Sequence, residues 1–338
     1  MVRILGIETS CDETAIGIVD DGRLVRASVL ASSQQFHAPY GGVVPEIAAR
    51  VHVEVIWQVL EQALTQAGCS LADVDAVAVT QGPGLPGALV IGVSFAKALA
   101  LSLDRPLIGV DHLAAHLYTG AMMEEPLEPP CIGLVVSGGH TLLCVAHPDQ
   151  RFEVLGDTKD DAAGEAFDKV AKLLGLGYPG GPVIDRLSEE GNPAAIPFPR
   201  GGAKDGYEFS FSGLKTAVYH SVQKQGGALS RQQIADIAAS FQEAVVEILI
   251  TKTLRACQRT GLKQIVVGGG VAANRRLRQR LTEEGAARGL RVVCPPLELC
   301  VDNGAMVAGL GFALLRQGRV SPLSLSPDPN LHLVGATS

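Results

Sequence analysis

The sequence contains one short pattern twice: an apolar strand, a turn crowded with polar residues, and a second apolar strand. The first copy lies at residues 4–20 (ILGIETSCDETAIGIVD) and the second at residues 132–148 (IGLVVSGGHTLLCVAHP). A simple hairpin turn needs Gly, Asn or Asp for backbone reasons, and it does not need so many hydroxyls and carboxylates. Two such hairpins, about a third of the chain apart, therefore predict an internal duplication.

Glycine-rich turns follow the apolar strands. The second hairpin carries Gly138 and Gly139, and a third strand-end turn at residues 264–277 carries three glycines followed by Asn274. Backbone N–H groups in such turns can bind an anion. Asn274 is placed to cap the helix that follows, and a helix N-terminus behind glycines suits a phosphate. The strand-end turns together predict a nucleotide cleft.

Between these turns the chain alternates helix and strand. Residues 46–67 and 230–260 are predicted helices, residues 74–80 a buried strand, and residues 157–175 a helix that begins with acids and ends with lysines. The 338 residues, 47% of them hydrophobic and only 4% aromatic, are typical of an aliphatic α/β protein with two lobes.

Two histidines four residues apart, His112 and His116, follow a short predicted strand at residues 106–110. On a helix, positions i and i+4 lie on the same face, so the two imidazoles form half of a metal site. Asp302 could supply an oxygen ligand, or it could merely cap the helix that follows it. Two His and one Asp suit Fe(II) or Zn(II). A zincin protease would need Glu after the first His, where this chain has Leu113.

The net charge of −7 argues against a broad basic surface for nucleic acid. One local cluster could still contact phosphates: Arg275, Arg276, Arg278 and Arg280. The seven cysteines show no C-x-x-C spacing, which favours reduced thiols in the cytoplasm. No apolar run approaches the ~20 residues that span a bilayer, and the N-terminus shows no signal-peptide pattern. We expect a cytoplasmic protein without a membrane partner.

Long motifs carry a resemblance to one family along residues 4–315. They are IETSCDET, SQQFHAPYGGVVPEIAARVH, GPGLPG, HLAAH, VSGGHT, DDAAGEAFDKVAKLLGLGYPGGP, FSFSGLKT, GGGVAANRRLR and CVDNGAM. In this order they resemble the TsaD family, also called Gcp or YgjD, of the bacterial type. The resemblance implies the two-lobed fold of actin, sugar kinases and Hsp70, with duplicated lobes and a nucleotide cleft between them. We expect an N-terminal lobe of residues 1–108 and 303–338 and a C-terminal lobe of residues 109–302.

The resemblance also implies an activity. Family members transfer a threonylcarbamoyl group from threonylcarbamoyl-adenylate to N6 of the adenosine 3′ of the anticodon in tRNAs that read ANN codons. Carried over by position, the family's metal ligands match His112, His116 and Asp302, with iron or zinc as the metal. The matching substrate contacts are Val135, Val136, Ser137, Gly138, Gly139, Asp168, Gly181, Asp185 and Asn274. Implied partners are tRNA, a paralogue of similar fold (TsaB), a small ATPase (TsaE), and a separate synthase that makes the adenylate.

Asp12 and Glu13, in the first polar turn, are our candidates for orienting the acceptor or accepting its proton. Three other functions remain open from the residues alone. A small-molecule kinase of the same fold would leave the histidine pair unexplained. A carbamoyltransferase acting on a small molecule would keep the metal and lose the tRNA, and a non-catalytic scaffold would not need open metal ligands.

Overall fold

The computed structural model describes residues 1–200, 206–226 and 228–333. Its contacts form two compact units, the first made of Met1–Glu128 with the segment that begins at Pro295, and the second made of Pro129–Cys294. These boundaries differ from the predicted division at residues 108/109 and 302/303. The reason is that the helix beginning at His112 packs on the last helix of the first unit, so both stay with that unit.

Strands and helices alternate through both units. The strands are β1 (Arg3–Glu8), β2 (Glu13–Asp20), β3 (Leu24–Ser32), β4 (Ala76–Gly82), β5 (Leu107–Asp111), β6 (Cys131–Val136), β7 (Thr141–Ala146), β8 (Phe152–Asp157), β9 (Gln264–Gly268) and β10 (Arg291–Val293). The α-helices are α1 (Gln34–His37), α2 (Pro45–Ala67), α3 (Pro86–Leu103), α4 (His112–Tyr118), α5 (Ala163–Leu173), α6 (Gly180–Leu187), α7 (Ser212–Gln225), α8 (Arg231–Thr260), α9 (Arg275–Ala286), α10 (Leu297–Cys300) and α11 (Gly304–Arg316).

The two units contain the same sheet. In the first unit the strand order is β3-β2-β1-β4-β5, and in the second it is β8-β7-β6-β9-β10. In each sheet the first three strands form an antiparallel meander, while the fourth and fifth run parallel to the first. The duplication predicted from the two polar hairpins is confirmed.

Glycines bring α11 against the sheet of the first unit. A Cβ on Gly17 of β2 would lie 2.3 Å from the Ala305 nitrogen, and one on Gly304 would lie 2.1 Å from the Gly17 nitrogen. Only hydrogen side chains allow the backbones of helix and strand to approach this closely. The contact fixes the start of α11 beside β1 and β2, and therefore fixes the position of Asp302, two residues earlier.

The strands and helices differ from the predictions mainly at their ends. Residues 157–175 are not one helix, because Asp157 ends β8 and α5 begins only at Ala163. One helix of the described chain, α3, is by length and composition apolar enough to cross a membrane, contrary to the expectation that no apolar run is long enough. It packs against β4 and α2, which is also the environment of a core helix in a protein without membrane spans.

Candidate functional site

The two histidines are held together at the start of α4. Strand β5 delivers the chain to Asp111, whose Oδ1 accepts a hydrogen bond from the Ala114 nitrogen (2.9 Å) and caps the helix. Because the helix begins at His112, His116 lies one turn later on the same face. Both side chains are buried, and their ring centroids lie 4.7 Å apart.

Asp302 completes a group of three converging side chains. Its Oδ1 lies 3.1 Å from Nε2 of His116 and 3.5 Å from Nε2 of His112, and the three potential ligand atoms all lie within 4.8 Å of one another. Asp302 does not cap α11, because Asn303 does so by accepting a hydrogen bond from the Met306 nitrogen (2.8 Å). The carboxylate of Asp302 is therefore directed to the histidines.

Glu8 orients the first histidine from behind. It ends β1 with its side chain fully buried, and its Oε2 accepts a hydrogen bond from Nδ1 of His112 (2.9 Å). The same carboxylate accepts hydrogen bonds from Oγ1 of Thr80 (2.6 Å) and from the Ser10 nitrogen (2.5 Å). Because Nδ1 faces Glu8, Nε2 is the ring nitrogen that faces Asp302. A carboxylate behind a ligand histidine is the usual support of a metal site.

The charges of this group follow from burial and proximity. Burial lowers the pKa of His112, but the carboxylates of Glu8 and Asp302 raise it more, to about 9. Burial lowers the pKa of His116, which favours a neutral imidazole. Burial raises the pKa of Glu8, but the charge of His112 and its hydrogen bond lower this pKa by more. The pKa of Glu8 is therefore lowered overall.

The three side chains fit a divalent metal ion. Two imidazole nitrogens and one carboxylate oxygen are the donor set that Zn(II) and Fe(II) sites use, with positions left for substrate. The donors converge without rearrangement, and Glu8 provides the outer support.

The acidic turn follows Glu8 in the first unit. Asp12 and Glu13 are partly buried, and Glu13 pairs with Ser32 as the first residue of β2. Burial, and next the charges of Asp302 and Asp12, raise the pKa of Glu13 to about 8.

In the second unit, two of the glycine turns lie side by side. Val135 pairs with Gly268 because β6 and β9 are neighbouring parallel strands, so their following turns leave the same edge of the sheet. Gly269 has a φ of +91°, and a Cβ there would lie 2.4 Å from the carbonyl oxygen of Val136. A Cβ on Gly138 or Gly139 would meet nothing within 4 Å. Val135 and Val136 are buried in β6, while Ser137 closes its turn by accepting a hydrogen bond on Oγ from the His140 nitrogen (3.1 Å).

Asp168 and Gly181 lie where α5 meets α6. Oδ1 of Asp168 accepts a hydrogen bond from the Gly180 nitrogen (2.7 Å) and so fixes the start of α6. A Cβ on Gly181 would meet nothing within 4 Å. Asp168 thus has a structural contact, and the Gly181 backbone stays open to a ligand.

Asn274 and Asp185 have protein partners of their own. Asn274 caps α9, as predicted: its Oδ1 accepts a hydrogen bond from the Leu277 nitrogen (2.9 Å), and its Nδ2 donates to Gln242 (2.7 Å). Asp185 pairs with Nε of Arg275 at 2.8 Å. Gln242 and Asp185 both line a cavity of about 240 Å³ between helices of the second unit. The other lining residues are Ser188, Glu189, Pro193, Ala239, Glu243, Arg275, Arg276 and Gln279.

Comparison with known proteins gives one family. The family model described as TsaD, tRNA N6-adenosine threonylcarbamoyltransferase, matches residues 25–309. The chain belongs to this family. A protein of that name from Symbiobacterium thermophilum is 52% identical over 98% of this chain and 96% of its own. One from Bacillus cereus is 51% identical over 98% and 96% of the two chains.

Solved structures share the fold at low sequence identity. HypF from T. kodakarensis matches 94% of this chain with a TM-score of 0.63 and 15% identity, and the match spans 48% of the HypF chain. Component A of the (R)-2-hydroxyglutaryl-CoA dehydratase of Acidaminococcus fermentans matches 93% of this chain and 98% of its own, with a TM-score of 0.53 and 17% identity. These likenesses support the two-lobed actin-like fold that the resemblance to the TsaD family implies.

The arginine cluster of this TsaD-family chain is not a free cationic surface. Arg276 and Arg280 both pair with Glu243 at 2.7 Å, and Arg280 also pairs with Glu284. Arg275 pairs with Asp185 and Glu189. Carboxylates therefore offset the charges of Arg275, Arg276 and Arg280, which weakens the prediction that these three arginines contact a phosphate.

The candidate ligands His112, His116 and Asp302, called the metal-binding group below, are supported by two residues that the sequence did not predict. They are Glu8, at the end of the first apolar strand, and Thr80, at the end of the predicted strand at residues 74–80. The available signal was a carboxylate at the inner end of an otherwise apolar strand, since such a group is buried only when it has partners.

Proposed function

We propose that this protein transfers a threonylcarbamoyl group from threonylcarbamoyl-adenylate to N6 of the adenosine 3′ of the anticodon in tRNAs that read ANN codons. The observation that carries the proposal is the converging group of His112, His116 and Asp302, oriented by Glu8, in a chain that belongs to the TsaD family. A kinase or a scaffold of the same fold would leave this group without a role.

The transfer forms a C–N bond, breaks a C–O bond and releases one proton from the acceptor amine. The N6 nitrogen of the acceptor adenosine attacks the carbamoyl carbon of the adenylate, a C–N bond forms, the bond from that carbon to the phosphate oxygen breaks, and AMP leaves. One proton of the exocyclic amine must be removed. The adenine amine is a poor nucleophile, so orientation and proton removal determine the rate.

His112, His116 and Asp302 would hold one Fe(II) or Zn(II) ion through their Nε2, Nε2 and Oδ1 atoms. When bound, such an ion supplies Lewis-acid stabilisation of charge on a substrate oxygen. Glu8 keeps the Nδ1 proton of His112 in place, so that Nε2 is the nitrogen that would give up its proton and bind the ion. Asp12 and Glu13, in the turn that follows Glu8, orient the acceptor amine or accept its proton.

The turns of the second unit would bind the adenylate. Gly138, Gly139 and Gly181 have open space where a side chain would stand, so a phosphate or ribose can approach the backbone. Asp185 and Gln242 line the cavity next to α9, and Asn274 holds Gln242 in place. Asp168 positions the start of α6, so its contribution to adenylate binding is indirect.

The protein would act with partners in the cytoplasm. All seven cysteines are free, as expected in a reducing compartment.

Three large apolar side chains are about half exposed on α2 and α3, namely Val53, Trp57 and Val90. This face suits docking of a TsaB-like paralogue, while a TsaE-like ATPase and a separate adenylate synthase would complete the pathway. Loss of co-elution with the paralogue in Trp57→Ser would support this surface, and unchanged co-elution would exclude it.

The deciding experiment measures label transfer from preformed threonylcarbamoyl-adenylate, made with labelled threonine, to an ANN-decoding tRNA in the presence of the partner proteins. Wild type is compared with His112→Ala, with chelator-treated protein, and with His220→Ala, a control that removes an exposed histidine of α7. We expect label on the tRNA with wild type and with His220→Ala only. A tRNA with guanosine in place of the acceptor adenosine should remain unlabelled. Transfer that survives both His112→Ala and chelation would refute the role of the metal group, and absence of transfer by wild type would refute the acceptor.

A further inference from the structure

Segment 33–52, one of the long motifs of the sequence, contains two histidines outside the metal-binding group. His37 and His52 are both completely buried. A buried imidazole is costly unless its polar nitrogens have partners. In both residues the two ring nitrogens are hydrogen-bonded, and the partners lead to the acidic turn.

His52 holds the turn from α2. Its Nε2 lies 3.0 Å from the carbonyl oxygen of Cys11, and its Nδ1 lies 2.7 Å from Oγ1 of Thr14. A carbonyl oxygen can only accept, so Nε2 carries the proton and Nδ1 accepts from the Thr14 hydroxyl. Both requirements are met by one neutral tautomer. His52 thus clamps the residues on either side of Asp12 and Glu13.

His37 holds the same turn from the opposite flank through Ser33. The Val44 nitrogen donates to Nδ1 of His37 (3.2 Å), so the proton of the neutral ring is on Nε2, which donates to Oγ of Ser33 (2.8 Å). The Ser33 hydroxyl donates in turn to the carbonyl oxygen of Asp12 (2.6 Å), and the Ser33 nitrogen donates to the same oxygen (3.0 Å).

We infer that His37 and His52 are positioning residues for the reaction: they fix the backbone of Cys11–Thr14 so that the Asp12 and Glu13 carboxylates face the acceptor in one orientation. The inference rests on the proposed function, because it needs these carboxylates to act on the acceptor. The turn contains no proline to restrict its backbone. The four bonds to its carbonyl oxygens and to Thr14 restrict it in addition to the pairing of Glu13 with Ser32.

The mildest perturbations remove one hydroxyl each. Thr14→Val keeps the shape of a buried side chain and removes the donor to His52, and Ser33→Ala breaks the connection between His37 and Asp12. Thr253→Val is the matched control, because Thr253 is equally buried and its hydroxyl donates only to Leu249 of its own helix (2.8 Å). His52→Gln, which can still offer a donor to Cys11, is compared with His52→Ala to test rescue.

The test measures kcat and KM of threonylcarbamoyl transfer with the complete set of partner proteins, and Zn(II) affinity of the isolated chain. We expect Thr14→Val and Ser33→Ala to lower kcat by about 10- to 100-fold, the cost of misplacing a reacting group by about 1 Å. KM for the adenylate and Zn(II) affinity should stay within about twofold of wild type, since His112, His116, Asp302 and Glu8 are untouched, and His52→Gln should retain more activity than His52→Ala. A kcat equal to that of Thr253→Val in both hydroxyl variants would overturn the inference.

Hydrogen exchange separates this inference from the proposed function. The amides of Ser33 and Val44 should exchange slowly in wild type and faster in His37→Phe, because their bonds form the support of the turn. Unchanged exchange at both amides would overturn the inference even if transfer occurs. Absence of transfer by wild type, together with faster exchange in His37→Phe, would refute the proposed function. It would still confirm that His37 holds the backbone of the turn.

Discussion

Glu8→Gln is the substitution that most directly tests the metal-binding group. It preserves the size of a fully buried side chain and removes its charge. The carboxylate accepts three hydrogen bonds, from His112, Thr80 and the Ser10 nitrogen. A glutamine amide has one oxygen and one NH2 group. The NH2 group of Gln must therefore face at least one of the three groups that donate hydrogen bonds to the carboxylate of Glu8.

The expected loss is one of metal affinity. Removing a carboxylate behind a ligand histidine costs about 10- to 100-fold in metal affinity, which is about 1.4 to 2.7 kcal/mol. We expect the upper part of this range, because Ser10 offers a backbone N–H that cannot rotate away from the amide. His112→Ala, which removes a ligand itself, should lose more affinity than Glu8→Gln.

The assay is competition between the metal-free protein and a chromogenic chelator for Zn(II), with the absorption of a Co(II) derivative reporting the geometry of the site. Asp20→Asn is the matched control, since Asp20 is another buried, hydrogen-bonded carboxylate in the same sheet. It should bind Zn(II) as wild type does. Equal Zn(II) affinity of Glu8→Gln and wild type, with affinity lost in His112→Ala, would refute the role of Glu8.

Three further predictions concern stability and charge. Asp20→Asn should lower the free energy of unfolding by about 2 kcal/mol at pH 7. The hydrogen bond from Arg3 lowers the pKa of Asp20. The contribution of Asp20 to stability is therefore complete above its unfolded pKa of about 3.9 and is lost as the pH falls towards the folded pKa. In urea unfolding, the difference in free energy of unfolding between wild type and Asp20→Asn should be smaller at pH 3 than at pH 7, and an equal difference at both pH values would contradict the prediction. Gly17→Ala should lower the free energy of unfolding by about 3 kcal/mol or more, because the added Cβ would overlap the backbone of α11. Gly138→Ala is the control and should change the free energy of unfolding by less than about 0.5 kcal/mol. Equal denaturation midpoints for the two variants would contradict the packing argument. Arg280→Ala should hardly change the slope of log tRNA affinity against log salt concentration, because Glu243 and Glu284 already offset the charge of Arg280. Loss of a phosphate contact would change this slope by about 1. A slope change near 1 would show that Arg280 contacts a phosphate.

Much of the fold could be predicted from the sequence because the signals are local. Alternation of apolar strands and polar turns within about twenty residues predicts the two hairpins, and their repetition predicts the duplicated sheets. The spacing of His112 and His116 needs only one turn of helix to bring both imidazoles to one face. Long motifs in a fixed order were enough to identify the family.

The completed metal-binding group was decided by tertiary structure. Asp302 is 186 residues from His116 along the chain, and Glu8 and Thr80 meet only because β1 and β4 are neighbouring strands. The same holds for the arginine cluster: its sequence is basic, but acids on α6 and α8 offset the charges of Arg275, Arg276 and Arg280. Local periodicity determines which elements form. Which side chains meet depends on the close approach of distant elements, such as the glycine contact that brings α11 against β2, and no local pattern specifies that distance.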